Sequence, residues 1–394
     1  MTTQELLTRG VDSIYPNKES LAVILQNNKK LTVYLGVDPT GSLLHIGHTV
    51  VLRKLAQFQK LGHKVILLIG DFTGRIGDPT GKDKTRVPLT DAQVLANAKT
   101  YQDQAAKILD FNHPTNPVEI KYNSTWLSKL TFEQIIKLAS EFTVQQMLER
   151  DMFEKRLKEH KPISMHEFFY PLMQGYDSVA MNVDLEIGGT DQTFNMLAGR
   201  TLQRSLNNKE KYVLTVPLLI DSNGVKIGKS EGNVIAITAE PADLYGKIMA
   251  LGDDVIIQTL ELCTDMPAEK IKQLQQQLMS GANPRDIKMI LAREIVALYN
   301  NAAAAEQAEA EFKRVFTEHV MPSNISTVPV PVTTEALTIL VELQLVESKT
   351  KAKQLFEQGG VKINQKPVTD WKQPLILKAG DVLQVGKRKF VRLA

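Results

Sequence analysis

The spacing of apolar positions predicts a strand–helix–strand unit near the start of the chain. LTVYLGV at residues 31–37 alternates as a strand does, and VILLIG at 65–70 has the composition of a buried strand. Between them, residues 48–61 carry apolar side chains at helical spacing, and Gly62 follows as a C-terminal cap. A strand, a helix and a second strand in this order form a βαβ unit, so we expect a parallel sheet.

The same patterns predict further strands and a helical insertion. VDLEIGG at 183–189 and YVLTVPLL at 212–219 have the apolar content of strands. Residues 91–110 and 131–160 are rich in polar residues and show helical spacing. We expect an insertion at about residues 105–165 that packs on the sheet or on a second subunit.

The character of the chain changes after about residue 238. Residues 241–318 are a run of helical patterns with no clear strand, and MPSNISTVPVPVTT has the composition of a linker. Two short helical patterns at 335–345 and 349–358 then precede several short strand patterns. The predicted divisions are an α/β domain with a Rossmann-like parallel sheet over 1–235, an all-α domain over 236–320, a linker over 321–334 and a small α+β domain over 335–394.

Composition narrows the class of protein. The chain has 394 residues, 43% hydrophobic and 23% charged, which is ordinary for a globular protein and long enough for two or three domains. No apolar stretch approaches the roughly 20 residues of a membrane span, and the N-terminus lacks a signal pattern. The single cysteine, Cys263, cannot form an internal disulfide, so we expect a reducing cytoplasm.

Positive charge is concentrated at the C-terminus. Residues 349–394 contain 11 Lys and Arg against 3 Asp and Glu, a net of +8, while the whole chain carries only +3. A basic tail on a mildly acidic body indicates a polyanionic partner. A solvated, lysine-rich surface is the alternative from composition alone.

The first candidate site follows the first predicted strand, in DPTGSLLHIGH at residues 38–48. His45 and His48 lie one helical turn apart, and Gly47 lets a planar ring approach the backbone. A helix N-terminus at the carboxyl end of a parallel strand favours a phosphate, and Thr40 adds a hydroxyl. A metal pair would need further ligands, and neither Cys nor another His is close in sequence. Simple packing of two histidines stays open.

The second candidate is the loop DSNGVKIGKSEGN at residues 221–233. Lys226 and Lys229 flank a glycine between two turn-forming clusters. Two ammonium groups on such a loop suit a leaving pyrophosphate, whose charge develops in the transition state. In isolation, a surface loop with lysines explains the same residues.

A third candidate lies on a predicted helix, in EFFYPLMQGYD. Tyr170, Gln174 and Asp177 share one helical stripe, with apolar residues on both sides. A hydroxyl, an amide and a carboxylate on that stripe predict a polar pocket wall, with the solvent face of an amphipathic helix as the alternative.

Two glycine-rich loops complete the candidates. FTGRIGDPTGKDKTR places Asp78, Lys82 and Arg86 after the second strand, where a loop with cations can clamp phosphate. GGTDQTFN places Asp191 and Gln192 after a later strand, where a carboxylate can hold ribose hydroxyls.

In this order, these motifs resemble the bacterial-type tyrosyl-tRNA synthetases of class I, over nearly the whole chain. HIGH and KIGKS correspond to the two class I signatures, although Ile227 and Gly228 depart from the usual KMSKS. The resemblance implies that Tyr34 and Asp177 bind the tyrosine hydroxyl. It assigns the remaining tyrosine contacts to Asp78, Tyr170, Gln174 and Gln192, the ATP contacts to Asp38, Gly47, His48, Asp191 and Lys229, and the catalytic groups to Thr40, His45, His48, Lys82, Arg86, Lys226 and Lys229.

The resemblance also implies partners. Tyrosine, ATP with Mg²⁺ and tRNA(Tyr) would be substrates, the protein itself would hold no metal, and a cytoplasmic homodimer is expected. The C-terminal unit resembles the alpha-L RNA-binding motif, with candidate RNA contacts at Lys349, Lys351, Lys353, Lys387 and Arg388. Alternatives are a tryptophanyl enzyme, a synthetase-derived RNA-binding protein and a small nucleotidyltransferase.

Overall fold

A computed structural model describes residues 2–27, 29–78, 89–221, 227, 234–316, 318, 325–386 and 389–394. Contacts between Cα atoms divide the chain into two compact units, Met1–Ala239 with Leu251–Tyr299 and Glu240–Ala250 with Asn300–Ala394. The predicted all-α domain over 236–320 is therefore not one unit. Its central helices fall in the first unit, where Ile256–Cys263 packs against the helix Ile46–Lys60, a contact that sequence spacing does not reveal.

The first unit is built on one six-stranded sheet. Its strands are β1 (Ser13–Tyr15), β2 (Thr32–Val37), β3 (Lys64–Ile69), β4 (Glu119–Tyr122), β5 (Leu185–Gly189) and β6 (Tyr212–Val216). They lie in the order β1–β6–β5–β2–β3–β4, and every neighbouring pair is parallel except β1 with β6. The predicted parallel sheet is confirmed. Strands β1 and β4 were not predicted, because both are short edge strands of half-buried residues.

Helices make up much of the rest of the first unit, and the helix between β2 and β3 is the one that follows the predicted periodicity most closely. They are α1 (Thr3–Leu6), α2 (Lys18–Gln26), α3 (Ile46–Lys60), α4 (Thr73–Ile76), α5 (Asp91–Ala105), α6 (Ser124–Leu127), α7 (Phe132–Ala139), α8 (Val144–Leu148), α9 (Asp151–Lys158), α10 (Met165–Ala180), α11 (Thr193–Asn207), α13 (Ile256–Cys263), α14 (Ala268–Met279) and α15 (Pro284–Tyr299). Helix α3 joins β2 to β3 and buries Leu52, Leu55 and Phe58. Lys107 donates to the Tyr299 carbonyl at 2.6 Å, which ties α15 to this unit.

The predicted insertion needs two corrections. Residues 119–122 within it form β4, which pairs with β3 and so belongs to the sheet. The helical pattern over 131–160 is also divided into three helices. Thr131 and Thr143 cap the first two of these helices, and each side chain accepts a hydrogen bond from a backbone N–H.

The second unit contains α12 (Pro241–Met249), α16 (Ala302–Phe316), α17 (Ala336–Glu342) and α18 (Lys349–Glu357) with a small sheet. Its strands are β7 (Ser326–Val328), β8 (Val361–Ile363), β9 (Lys366–Pro367), β10 (Val382–Val385) and β11 (Lys389–Leu393), in the order β7–β11–β10–β8–β9. Strand β7 lies inside the predicted linker and pairs in parallel with β11, so the segment 321–334 is not only a linker. None of the helices in the described part of the chain could cross a membrane.

Candidate active site

The HIGH motif forms the start of α3, beyond the carboxyl end of β2. The rings of His45 and His48 lie 3.7 Å apart between centroids, and the His45 backbone N–H donates to His48 Nδ1 at 3.2 Å. A Cβ on Gly47 would lie 3.0 Å from the carbonyl oxygen of Ile227. The structure therefore brings Ile227, the described residue of the second signature, against the first signature, and a glycine at position 47 permits this close approach.

Six predicted residues lie outside the described ranges: Lys82, Arg86, Lys226, Lys229, Lys387 and Arg388. Thr40, which follows β2, is half-buried, and its backbone N–H donates to the Asp38 carbonyl at 2.7 Å. Asp191 is half-buried in the turn after β5, where a Cβ on Gly189 would lie 2.6 Å from its carboxylate. Both residues thus flank the carboxyl ends of neighbouring strands, β2 and β5.

Asp38 joins three elements at the end of β2. Its Oδ1 accepts from Thr73 Oγ1 at 2.7 Å, and its Oδ2 accepts from the Tyr170 hydroxyl at 2.7 Å. A Cβ on Gly70 would lie only 2.0 Å from Asp38 Oδ1, so a side chain there would displace the carboxylate. Asp38 is thus placed beside Tyr170, one of the residues predicted to contact tyrosine, although it was predicted on the ATP side.

The predicted stripe of α10 faces the sheet. Tyr170 and Asp177 are buried, Gln174 is half-buried, and each bonds to a different element. Gln174 Nε2 donates to Glu186 Oε1 on β5 at 3.0 Å. The alternative of a solvent-exposed face is therefore wrong.

Asp177 ends this stripe in a buried polar cluster. Its Oδ1 accepts from Trp126 Nε1 at 2.7 Å, and its Oδ2 accepts from Asn123 Nδ2 at 3.3 Å. Burial raises the pKa of Asp177 well above the usual value, and the two donors only partly oppose that rise. Asp177 is therefore a carboxyl group held in a fixed orientation with little contact with water.

Tyr34 on β2 is fully buried in the same region, and its hydroxyl lies 2.9 Å from Ser178 Oγ. Burial raises the pKa of Tyr34 well above its usual value, and the nearby carboxylates of Glu186 and Asp177 act in the same direction. The hydroxyl therefore stays protonated and can donate or accept a hydrogen bond.

A third cluster surrounds Asp78. Gln192 Nε2 donates to Asp78 Oδ2 at 2.8 Å, and Asn195 Nδ2 donates to Gln192 Oε1 at 3.0 Å. The buried guanidinium of Arg150 comes within 3.9 Å of Asp78 Oδ1. The structure thus joins two predicted tyrosine contacts, Asp78 and Gln192, through a direct hydrogen bond.

Sequence reasoning missed several residues of these clusters: Thr73, Asn123, Trp126, Arg150, Ser178, Glu186 and Lys211, which forms a buried ion pair with Glu186. For Glu186 and Lys211, a signal was present, since each places a charge within or beside a strand pattern that predicts burial. Asn123 and Trp126 follow β4, which the pattern did not reveal.

The predicted RNA contacts that the structure describes lie on α18 in the second unit. Lys349, Lys351 and Lys353 are exposed, while Ala352 and Phe356 on the same helix are buried. Lys349 pairs with Glu335 at 3.2 Å, and Lys353 lies over the Trp371 ring at 5.2 Å. The helix therefore presents ammonium groups to solvent.

Comparisons with known proteins show which family the chain resembles. A family model for class I tRNA synthetases (W and Y) matches residues 26–317, and an S4 domain model matches residues 337–383. The tyrosine–tRNA ligase of Moorella thermoacetica is 48% identical, over 98% of this chain and 94% of that protein. The tyrosine–tRNA ligase of Photobacterium profundum is 48% identical, over 98% and 97%. A truncated mitochondrial tyrosyl-tRNA synthetase from Coccidioides posadasii superposes with a TM-score of 0.64 at 26% identity, over 79% of this chain and 91% of that structure.

Proposed function

Because this chain belongs to the class I tRNA synthetases of the tryptophan and tyrosine group, we propose how its buried polar side chains perform the reaction of a tyrosine–tRNA ligase. Relatives with that activity match nearly the full chain at 46–48% identity, which supports neither the tryptophanyl alternative nor the RNA-binding one. The tyrosine carboxylate attacks the α-phosphorus of ATP to give tyrosyl-adenylate and pyrophosphate, and the tyrosyl group then passes to the 3′-terminal adenosine of tRNA(Tyr) with release of AMP.

The observation that carries the assignment of roles is the buried Asp177 between Trp126 and Asn123, close to Tyr34. We assign the substrate hydroxyl to Asp177 and Tyr34. A site that hydrogen-bonds this hydroxyl rejects phenylalanine because its buried polar groups would be left unpaired, and tyrosyl-tRNA synthetases are themselves the standard case of this selectivity. Asp78, Tyr170, Gln174 and Gln192 are assigned to the rest of the amino acid.

Activation needs alignment more than proton transfer. The tyrosine carboxylate is already ionised at neutral pH, so no general base is required. The protein must align it with the α-phosphorus and stabilise the added charge. We assign ATP to the α3 N-terminus with Thr40, His45, Gly47 and His48, together with Asp38 and Asp191.

Four cations are assigned to the transferring phosphates from the sequence motifs alone: Lys82, Arg86, Lys226 and Lys229. In the described part of the chain, no group of three His, Cys, Asp or Glu side chains is placed to hold a metal. We propose that Mg²⁺ arrives on the ATP phosphates, whose charge it would neutralise. The cytoplasm is the proposed location because the product is used in translation.

Tyrosine-dependent exchange of pyrophosphate into ATP tests the assigned reaction. The purified protein with Mg²⁺ should exchange with tyrosine and show little exchange with tryptophan or phenylalanine. No exchange with any amino acid, or a preference for tryptophan, would contradict the proposal.

We also propose a homodimer formed through the helices before Tyr170. Phe132 on α7 is 77% exposed, and Ile136 and Val144 are also exposed, which is a large apolar area for a free surface. Phe132→Glu should convert a dimer into a monomer in analytical ultracentrifugation, with Glu133→Gln as a control on the same helix. A wild-type protein that sediments as a monomer would contradict this assembly.

A further inference from the structure

Two opposite charges are buried beneath the proposed tyrosine site. Lys211, directly before β6, is 0% exposed, and Glu186 on β5 is 2% exposed. Their side chains form an ion pair, and Lys211 Nζ also donates to the Met196 carbonyl at 2.9 Å. A buried pair is costly to desolvate and often no more stable than an apolar pair of the same size. Stability alone therefore does not explain why charges occupy these positions.

Glu186 connects the ion pair directly to the site. Its Oε1 accepts from Gln174 Nε2 at 3.0 Å, and Glu186 lies opposite Tyr34 in the register of β5 with β2. A glutamine side chain has one donating end and one accepting end. Since Glu186 takes the donating end, the accepting Oε1 of Gln174 is the end that can face a substrate ammonium group.

Lys211 connects the pair to Tyr34. Its Nζ lies 5.8 Å from the centre of the Tyr34 ring. Gly199 on α11 makes room for the amine, since a Cβ there would lie 2.5 Å from Lys211 Nζ and 2.8 Å from Ser178 Oγ. Ser178 in turn bonds to the Tyr34 hydroxyl. The amine is thus enclosed beside the residues that hold Tyr34.

We propose that Lys211 and Glu186 are a positioning pair for tyrosine: Lys211 holds the Glu186 carboxyl group in place, and Glu186 orients the Gln174 amide toward the substrate ammonium. This inference rests on the proposed contact between Gln174 and tyrosine. Neither charged residue touches the substrate, so both act through Gln174 and Tyr34.

Two double variants separate positioning from simple burial. Glu186→Gln with Lys211→Met removes both charges but keeps a carbonyl oxygen that accepts from Gln174. Glu186→Met with Lys211→Met also removes both charges but abolishes that acceptor. In pyrophosphate exchange, we expect a KM for tyrosine within about threefold of wild type in the first variant and raised about tenfold or more in the second. The KM for ATP should stay within about twofold in both.

Single variants provide the controls. Lys211→Met should raise the KM for tyrosine selectively, whereas Lys54→Met removes another buried lysine, bonded to the carbonyls of Leu6 and Arg9, and should not. If Lys211→Met fails to fold, the two neutral double variants still test the positioning role of the pair. Equal KM values for tyrosine in those two variants would overturn the proposal, as would a parallel rise in the KM for ATP.

Gln174→Ala distinguishes this inference from the site assignment on which it rests. A raised KM for tyrosine is expected. An unchanged KM would show that Gln174 does not contact tyrosine, which would overturn both the assignment and the inference. A raised KM together with equal KM values in the two double variants would overturn the positioning pair alone.

Discussion

The tyrosine cluster of the first unit and the lysine surface of α18 use polar side chains in opposite ways. Around Asp177 and Tyr34, buried polar atoms have partners at 2.7 to 3.3 Å that fix their direction. On α18, Lys349, Lys351 and Lys353 are exposed. Two of these lysines lie near carboxylates, at 3.2 and 3.8 Å, in pairs that water screens.

This difference in burial determines what each region can recognise. A buried and oriented acceptor distinguishes a hydroxyl from its absence, because an unpaired partner is costly without water. Exposed ammonium groups attract the phosphates of an RNA whatever its base sequence, and their contribution to binding falls as the salt concentration rises. One region therefore suits selection of an amino acid, and the other suits general attraction of RNA.

The largest expected effect comes from changing the acceptor in the buried region. Asp177→Asn replaces one accepting oxygen by a donating amide, so at least one of Trp126, Asn123 and the substrate hydroxyl loses its acceptor. We expect the kcat/KM for tyrosine in pyrophosphate exchange to fall about 100-fold, as follows from an unpaired buried group. Binding of tRNA, measured by filter retention, should change by less than about twofold.

Asp184→Asn is the matched control. Asp184 precedes β5 at the amino end of the sheet, where it accepts from the Thr32 backbone N–H at 2.8 Å, and an asparagine oxygen can still do so. Its exchange activity should remain near wild type. Comparable losses in the two variants would show that Asp177 has no special role.

The contrast between the two regions also explains what the sequence could and could not predict. Tyr170, Gln174 and Asp177 were found because one helix carries them at regular spacing, and α10 confirms that they face the sheet. Periodicity reports such local geometry reliably.

The partners of these residues were missed because they come from distant parts of the chain. Trp126 is 51 residues from Asp177, and Thr73 is 35 residues from Asp38. Only the sheet order brings them together, and β4, which leads to Trp126, is too short for its pattern to stand out. Strand β7 was missed for a similar reason, since three residues in a Pro- and Ser-rich segment have the composition of a linker.

A smaller effect is expected from the exposed region. Replacing Lys349, Lys351 and Lys353 together by Gln should weaken tRNA binding about tenfold at low salt and lower the slope of log K against log salt by up to about 2 to 3. The loss should shrink as salt rises, because exposed charges act through counterion release. Binding titrations at several salt concentrations measure both quantities.

The triple replacement by Arg keeps the charge and should restore most of the binding. Pyrophosphate exchange should stay unchanged in both triple variants. A loss of tRNA binding that does not depend on salt would show that these lysines make specific contacts instead of general ones.

The last expected effect concerns stability and tests what burial does to a lysine. Lys54 on α3 is 2% exposed and donates to the carbonyls of Leu6 and Arg9 at 2.9 and 2.8 Å. Burial lowers its pKa from 10.5 to about 7, and the neighbouring Arg9 adds to that shift. Between these two values, the unfolded chain holds a proton that the folded chain has released, so the free energy of unfolding rises with pH.

The difference in the free energy of unfolding between wild type and Lys54→Met should therefore rise from pH 7 to pH 10, by at most about 1.4 kcal/mol per pH unit. Below pH 7, both states hold the proton and the difference should be flat. Urea unfolding at several pH values measures it, with Lys60→Met at the exposed end of the same helix as the control for loss of one positive charge. A difference that stays flat from pH 7 to pH 10 would mean that Lys54 keeps its proton in the folded protein, where its contacts with Leu6 and Arg9 would then outweigh the cost of burial.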